Sequence, residues 1–158
     1  MLDIPCGDFN WMKTLLPELQ LSKYIGADIV RDLVQRNQQR YGTAMVDFIR
    51  LDAVSDVLPK VDLILCRDML VHLPLRLGLR AVGNMQNSES TYLLATTFPS
   101  VVHNENIETG AWRPLNLEAA PFNLGPPEYV MRESCADVPD KSLGLWRMSH
   151  AGLDQGSL

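Results

Sequence analysis

Asp68 and His72, in the run Cys66-Arg67-Asp68-Met69-Leu70-Val71-His72-Leu73-Pro74, have the types and spacing of an acid–base pair. Four residues apart, they would share one face of a helical turn. Histidine is the side chain whose ordinary pKa lies near neutrality, so His72 could take a proton from a hydroxyl or amine nucleophile. A lone histidine can equally cap a turn or bond a backbone carbonyl. Nearer the N-terminus, Asp28 lies toward the end of the apolar run Lys23 to Val30 and follows the turn-forming stretch Asp3-Ile4-Pro5-Cys6-Gly7-Asp8. A carboxylate there can hold both hydroxyls of a ribose, or cap the helix that follows. Asn104, Trp112 and Arg113 lie in a stretch broken by Pro and Gly, where acceptor recognition is expected. Trp112 offers a flat apolar wall and Arg113 two parallel donors for a carboxylate or phosphate. The plainer alternative makes Trp112 a plug under the loop and Arg113 part of a surface ion pair.

These residues need a frame, and the hydrophobic pattern supplies one. The first apolar run ends at Gly7-Asp8 and hands the chain to Trp11–Leu21, a helix-like pattern interrupted at Pro17. Three further runs end in polar residues: Lys23 to Val30, Val46 to Leu51 followed by Asp52-Ala53, and Val61 to Cys66 followed by Arg67-Asp68. Val30 to Tyr41, closed by Gly42, and Leu75 to Met85 read as amphipathic helices, and Ser90 to Phe98 as a fifth strand stopped by Pro99. Alternating strands and helices imply right-handed crossovers and a parallel sheet. Val102 to Pro127 reads as a long functional loop, Tyr129 to Arg132 and Ser142 to Met148 as an antiparallel pair finishing the sheet, and Ser149 to Leu158 as a flexible tail.

In this order Asp3-Ile-Pro-Cys-Gly7-Asp8, Gly26-Ala-Asp28, Leu51-Asp52-Ala53 and Val61-Asp-Leu-Ile-Leu-Cys-Arg67 resemble the successive motifs of class I S-adenosylmethionine-dependent methyltransferases. The likeness covers roughly Met1 to Pro99. It implies a three-layer α/β, Rossmann-like sheet, mostly parallel with an antiparallel C-terminal strand and helices on both faces. It implies methyl transfer from S-adenosylmethionine to a small-molecule acceptor, or a degenerate cofactor-binding module that serves as a partner. The implied cofactor site comprises Asp3, Pro5, Cys6, Gly7, Asp8, Asp28, Ile29, Asp52, Ala53, Cys66 and Arg67. In it Asp3 meets the methionine amino group, directly or through water, and Gly7 lets the backbone come close. Asp28 takes the ribose, Asp52 and the Ala53 N–H read the adenine, and Cys66 offers its carbonyl. Arg67 pairs with the cofactor carboxylate or with Asp68. Asp68 and His72 would be catalytic, and Asn104, Trp112 and Arg113 would touch the acceptor. The family usually has glycine where this chain has Pro5, and often where it has Phe9, whose ring would crowd the cofactor unless it points away. A dinucleotide-binding loop needs glycines on both sides of Gly7, and Pro5 and Asn10 reject it. The chain starts on its first strand, where the family usually has N-terminal helices, so the cover is expected from a longer protein or from elsewhere.

Composition sets the outer bounds. With 158 residues, 46% hydrophobic and 21% charged, the chain suits one folded domain, 1–148, rather than disorder. A net charge of -5 disfavours nucleic acid as a partner. Cys6, Cys66 and Cys135 are scattered, with no metal-ligand spacing, which reads as reduced thiols in a cytoplasmic protein. No apolar run is long enough to span a bilayer, so no membrane partner and no metal are expected.

Overall fold

The short apolar runs, rich in Ile, Val and Leu and separated by amphipathic stretches, become strands and crossover helices in the computed structural model, which describes residues 1–134 and 136–148. In chain order these are β1 (Leu2–Asp3), α1 (Met12–Leu15), β2 (Tyr24–Asp28), α2 (Arg31–Tyr41), β3 (Val46–Arg50), β4 (Leu63–Cys66), α3 (Leu75–Asn87), β5 (Tyr92–Thr97), β6 (Tyr129–Arg132) and β7 (Ser142–Arg147). Single 3₁₀ turns follow α1 at Leu16–Glu18 and β4 at Leu70–His72. The sheet order is β3-β2-β1-β4-β5-β7-β6. β1 to β5 are parallel, and β7 runs antiparallel between β5 and β6. The chain moves outward from β1 through β2 to β3 and, after β4, outward the other way. The crevice of such a sheet opens where the order reverses, at the C-terminal ends of β1 and β4.

Strand residues alternate between two cores. Leu2, Ala27, Ile64, Cys66, Leu93 and Ala95 face the core that receives Ala81, Val82 and Met85 of α3. Tyr24, Phe48 and Leu65 face the opposite core, with Cys6, Phe9, Met12 and Val34 of α2. Helices thus cover both faces, α1 and α2 on one side and α3 on the other. No helix among the described residues is long and apolar enough to cross a membrane.

Two sequence expectations need refining. Residues 102–127 are more than a loop, since part of the segment packs as core. Leu115 and Leu117 are fully buried, and Phe122 packs against Gly78 of α3. Phe98 N–H donates to the Leu115 carbonyl, Leu117 N–H to Thr97 Oγ1 and Leu124 N–H to the Leu117 carbonyl. Apolar anchors pack this irregular segment against the α3 side of the sheet, and side chains supply partners for part of its buried backbone. Asp68 and His72 also do not share a helical turn. The turn begins at Leu70, and Asp68 ahead of it has left-handed backbone at φ +58°. Ser149 to Leu158 and Cys135 lie outside the described residues.

Phe9 answers the question of crowding. Its φ is +63°, yet its ring is 3% exposed and points into the α2-side core, with centroids 5.0 to 5.3 Å from Phe48, Tyr41 and Tyr24. Phe9→Gly should therefore destabilise the fold. Loss of a buried aromatic costs about 3–5 kcal/mol, and relief of the left-handed backbone returns about 1 kcal/mol. Urea unfolding should give a net loss of about 2–4 kcal/mol, and an unchanged midpoint would contradict this packing.

Candidate functional site

The cleft begins where the chain leaves β1 still tied to both neighbouring strands: Ile4 N–H donates to the Leu65 carbonyl, and Cys6 N–H to the Ala27 carbonyl. Gly7 then turns with φ +54°, and a Cβ built there would meet nothing within 4 Å, so the space beside this backbone is open. Its N–H donates to Asp28 Oδ2 at 3.2 Å, and its carbonyl accepts from Asn37 Nδ2 at 2.8 Å. Asp8 turns outward and accepts from the backbone and side chain of Asn10, which shapes the entry to α1 rather than the cleft.

A cavity of about 320 Å³ lies against the ends of four strands. Ile4 and Pro5 follow β1, Asp28 and Ile29 close β2, Leu51 to Val54 follow β3, and Asp68, Met69, His72 and Leu73 follow β4. The lining is an apolar slot with carboxylates on its rim. Asp28 holds the turns on both sides of it and stands on the cavity wall. Its Oδ1 accepts from the Val30 N–H ahead of α2, its Oδ2 accepts from Gly7, and it lines the cavity. Each carboxylate oxygen has a second lone pair, so capping leaves capacity for two ligand hydroxyls. Asp52 accepts from the Val54 N–H and Ser55 Oγ, which tightens the turn that puts Ala53 on the wall. The Ala53 carbonyl is held from behind by Asn84 of α3.

A second cavity, about 550 Å³, adjoins the first and shares Asp68 and His72 with it. Trp112, Asp137, Val138 and Lys141 form its other walls. His72 Nδ1 lies 3.0 Å from the Ala111 carbonyl. A carbonyl oxygen only accepts, so we assign the proton to Nδ1, which leaves Nε2 as an acceptor. Trp112 is 49% exposed and stands edge-on to Phe98. Lys141 Nζ bonds Asp68 Oδ2 at 2.6 Å and approaches Glu133 Oε2 at 3.3 Å. Asp68 N–H donates to Thr96 Oγ1.

Several of the expected site residues have partners within the protein. Asp3 lies under the floor, 1% exposed, with its Oδ2 accepting from Tyr24 Oη at 2.6 Å, so a direct bond to a ligand is closed off. Burial pushes its carboxyl up to about 6, against the opposing pull of the Tyr24 bond and of Arg67. The Cys6 and Cys66 thiols face the two cores, and burial raises both to about 12, which makes the thiols inert and leaves the backbone role expected of Cys66 untouched. Arg67 turns to Glu133 Oε1, at 2.7 Å from Nε and 2.6 Å from Nη2, with its guanidinium over Trp11; Asp68 is its longer contact at 3.7 Å. Arg113 is buried and donates to the carbonyls of Leu70, Leu73 and Glu105, so it pins the long segment onto the His72 turn instead of meeting an acceptor. Asn104 likewise bonds the Asn116 and Ala120 carbonyls.

Sequence reasoning missed Asn37, Thr96, Glu133 and Lys141. Asn37 carried a signal, because it sits at helical spacing from Val34 and Tyr41 on the inward face. Lys141 carried none, since the hairpin of β6 and β7 brings it to Asp68 from 73 residues away.

No protein-family model matches this chain, and no curated protein matches it. Solved structures do. Human N-acetylserotonin methyltransferase in complex with SAM superposes with TM-score 0.68 at 13% identity, over 94% of this chain and 47% of that one. Magnesium protoporphyrin IX methyltransferase from Synechocystis PCC 6803, with bound SAH, gives 0.66 at 16% identity, over 94% and 73%. A protein described as a pericyclic reaction enzyme gives 0.67 at 11%, over 92% and 42%. The chain has the Rossmann-like fold of these proteins and spans about half the length of the first.

The buried Asp3 predicts a pH signature. A carboxyl raised in the fold from 3.8 to about 6 favours folding fully below its unfolded value and loses that contribution as pH rises through about 6. Asp3→Asn, which keeps an acceptor for Tyr24, should unfold later than the parent at pH 8, by on the order of 2–3 kcal/mol. The advantage should vanish near pH 4. Denaturant unfolding at both pH values measures it, and an equal effect at both would contradict the assigned cause.

Proposed function

We propose that this chain binds S-adenosylmethionine in the 320 Å³ cavity and passes its methyl group to a small-molecule acceptor held in the adjoining 550 Å³ cavity. The observation that carries the reading is the meeting of the two cavities at Asp68 and His72, at the switch point of the sheet. The residues present fit the cofactor. The open space at Gly7 admits a ligand against the backbone, Asp28 has free lone pairs for ribose hydroxyls, and Leu51, Ala53 and Val54 make an apolar slot suited to adenine, with Asp52 at its rim. When bound, S-adenosylmethionine supplies an electrophilic methyl group on a sulfonium centre.

The chain's own contribution is position and proton handling. Trp112 and Val138 present an apolar wall along which a flat acceptor can lie. Such walls exclude water and hold a nucleophile in one orientation, where most of the rate gain of a displacement arises. His72 Nε2 accepts the nucleophile's proton, while the Nδ1 bond to Ala111 fixes the ring and supports the imidazolium that forms. Lys141 holds Asp68 in place at the junction. A net charge of -5 further favours a small acceptor over a polyanion.

Because the same fold carries a pericyclic reaction enzyme, binding and transfer are tested separately. Calorimetric titration should give micromolar affinity for S-adenosylmethionine and S-adenosylhomocysteine and none for NAD. Asp28→Asn keeps the volume but weakens hydrogen bonds to a charged acceptor, about 1.5–3 kcal/mol each, so affinity should fall at least about tenfold. A folded protein that binds neither sulfur compound would overturn the reading. Formation of S-adenosylhomocysteine in the presence of a panel of small phenols and amines then tests transfer, and at saturating cofactor His72→Asn should slow it by about 10²–10⁴-fold.

A further inference from the structure

Asn37 is a polar residue in the middle of α2, yet it is 4% exposed and faces the side that Val34 turns to Phe9 and Phe48. An amide placed there is costly unless its groups are bonded. Its Nδ2 donates to the Gly7 carbonyl across 30 residues of chain, at 2.8 Å. The other polar group of Gly7, its N–H, is held by Asp28 just ahead of the same helix. Both polar groups of the glycine are thus fixed by side chains of one segment. Phe9, two residues on, is fixed by its ring. A loop that has Pro5 and Phe9 where its relatives more often have glycine obtains its shape from these outside restraints.

We propose that Asn37 is a positioning residue of the cofactor site. The peptide between Gly7 and Asp8 is trans and planar, so its carbonyl and N–H point opposite ways. By drawing the carbonyl toward α2, Asn37 turns the Asp8 N–H away from the helix and keeps the open face of Gly7 clear. The argument rests on the reading of the cavity as a S-adenosylmethionine site, but the clamp itself belongs to the free protein. Asn37 touches no ligand. It acts through Gly7.

The test compares Asn37→Leu, which removes the donor at similar volume, with Val34→Ala, which removes packing one turn earlier on the same face and leaves Gly7 alone. S-adenosylhomocysteine affinity by calorimetry is read beside the melting temperature. The expected result is a loss of affinity of about tenfold or more in Asn37→Leu, and a change within about twofold in Val34→Ala even though it also melts earlier. Equal affinity in Asn37→Leu and the parent, or equal weakening in both variants, would overturn the proposal. Amide hydrogen exchange of the free protein gives a second readout: Gly7, whose N–H is held by Asp28, should exchange about tenfold faster in Asn37→Leu only, and unchanged exchange there would also overturn it. If the parent binds no S-adenosylhomocysteine, the proposed function fails, and the exchange data still decide whether Asn37 holds the loop.

Discussion

The hydrogen bond from the Gly7 N–H to Asp28 is the interaction on which the site depends. β1 is two residues long and sits mid-sheet, so the chain must leave it and turn toward α1 without pulling the strand out of register. The turn is held to β4 and β2 by the Ile4 and Cys6 amides, and to α2 by Asp28 and Asn37. One carboxylate therefore caps the second crossover helix, locks the first loop and faces the cavity. The open crevice follows from β1 and β4 sending the chain in opposite directions, and the Gly7 turn decides what shape that crevice has.

The acceptor side is assembled differently, from distant segments tied by charge. Arg67, Glu133, Lys141 and Asp68 alternate in sign and join the end of β4 to the β6–β7 hairpin. The Lys141 and Glu133 side chains are only 14% and 11% exposed, so removing one partner would strand a nearly buried charge. Arg113 then fastens the long irregular segment across the His72 turn from below. The histidine is placed by its neighbours on both sides.

Much of the frame was legible because its signals are local. Tyr129 to Arg132 and the β7 start at Ser142 stand where the sequence reading placed them, and α2 ends at Tyr41, one residue before the glycine that marks its close. Asp28 ends β2 and Asp52 and Ala53 follow β3, and strand ends share one edge of a parallel sheet, which is why the pattern alone could bring them to one cavity. The acceptor side was not legible. Arg113 has the chemistry of an anion receptor, and only three backbone carbonyls from other parts of the chain give it another task. Asp68 and His72 had the spacing of a helical pair, but Asp68 takes left-handed backbone that the spacing could not reveal. They meet through the cavities they line rather than through one turn.

The central claim is that the cavity at the ends of β1 to β4 is the cofactor site. Titrating ¹⁵N-labelled protein with S-adenosylhomocysteine tests it most directly, because a second cavity, about 220 Å³ and lined by Leu16, Leu21, Met45 and Val46, serves as an internal control. The account predicts saturable amide shifts at Gly7, Asp28, Ile29, Ala53, Met69 and His72, with Leu21 and Met45 unmoved. Shifts centred on Leu21 and Met45, or none that saturate, would contradict it.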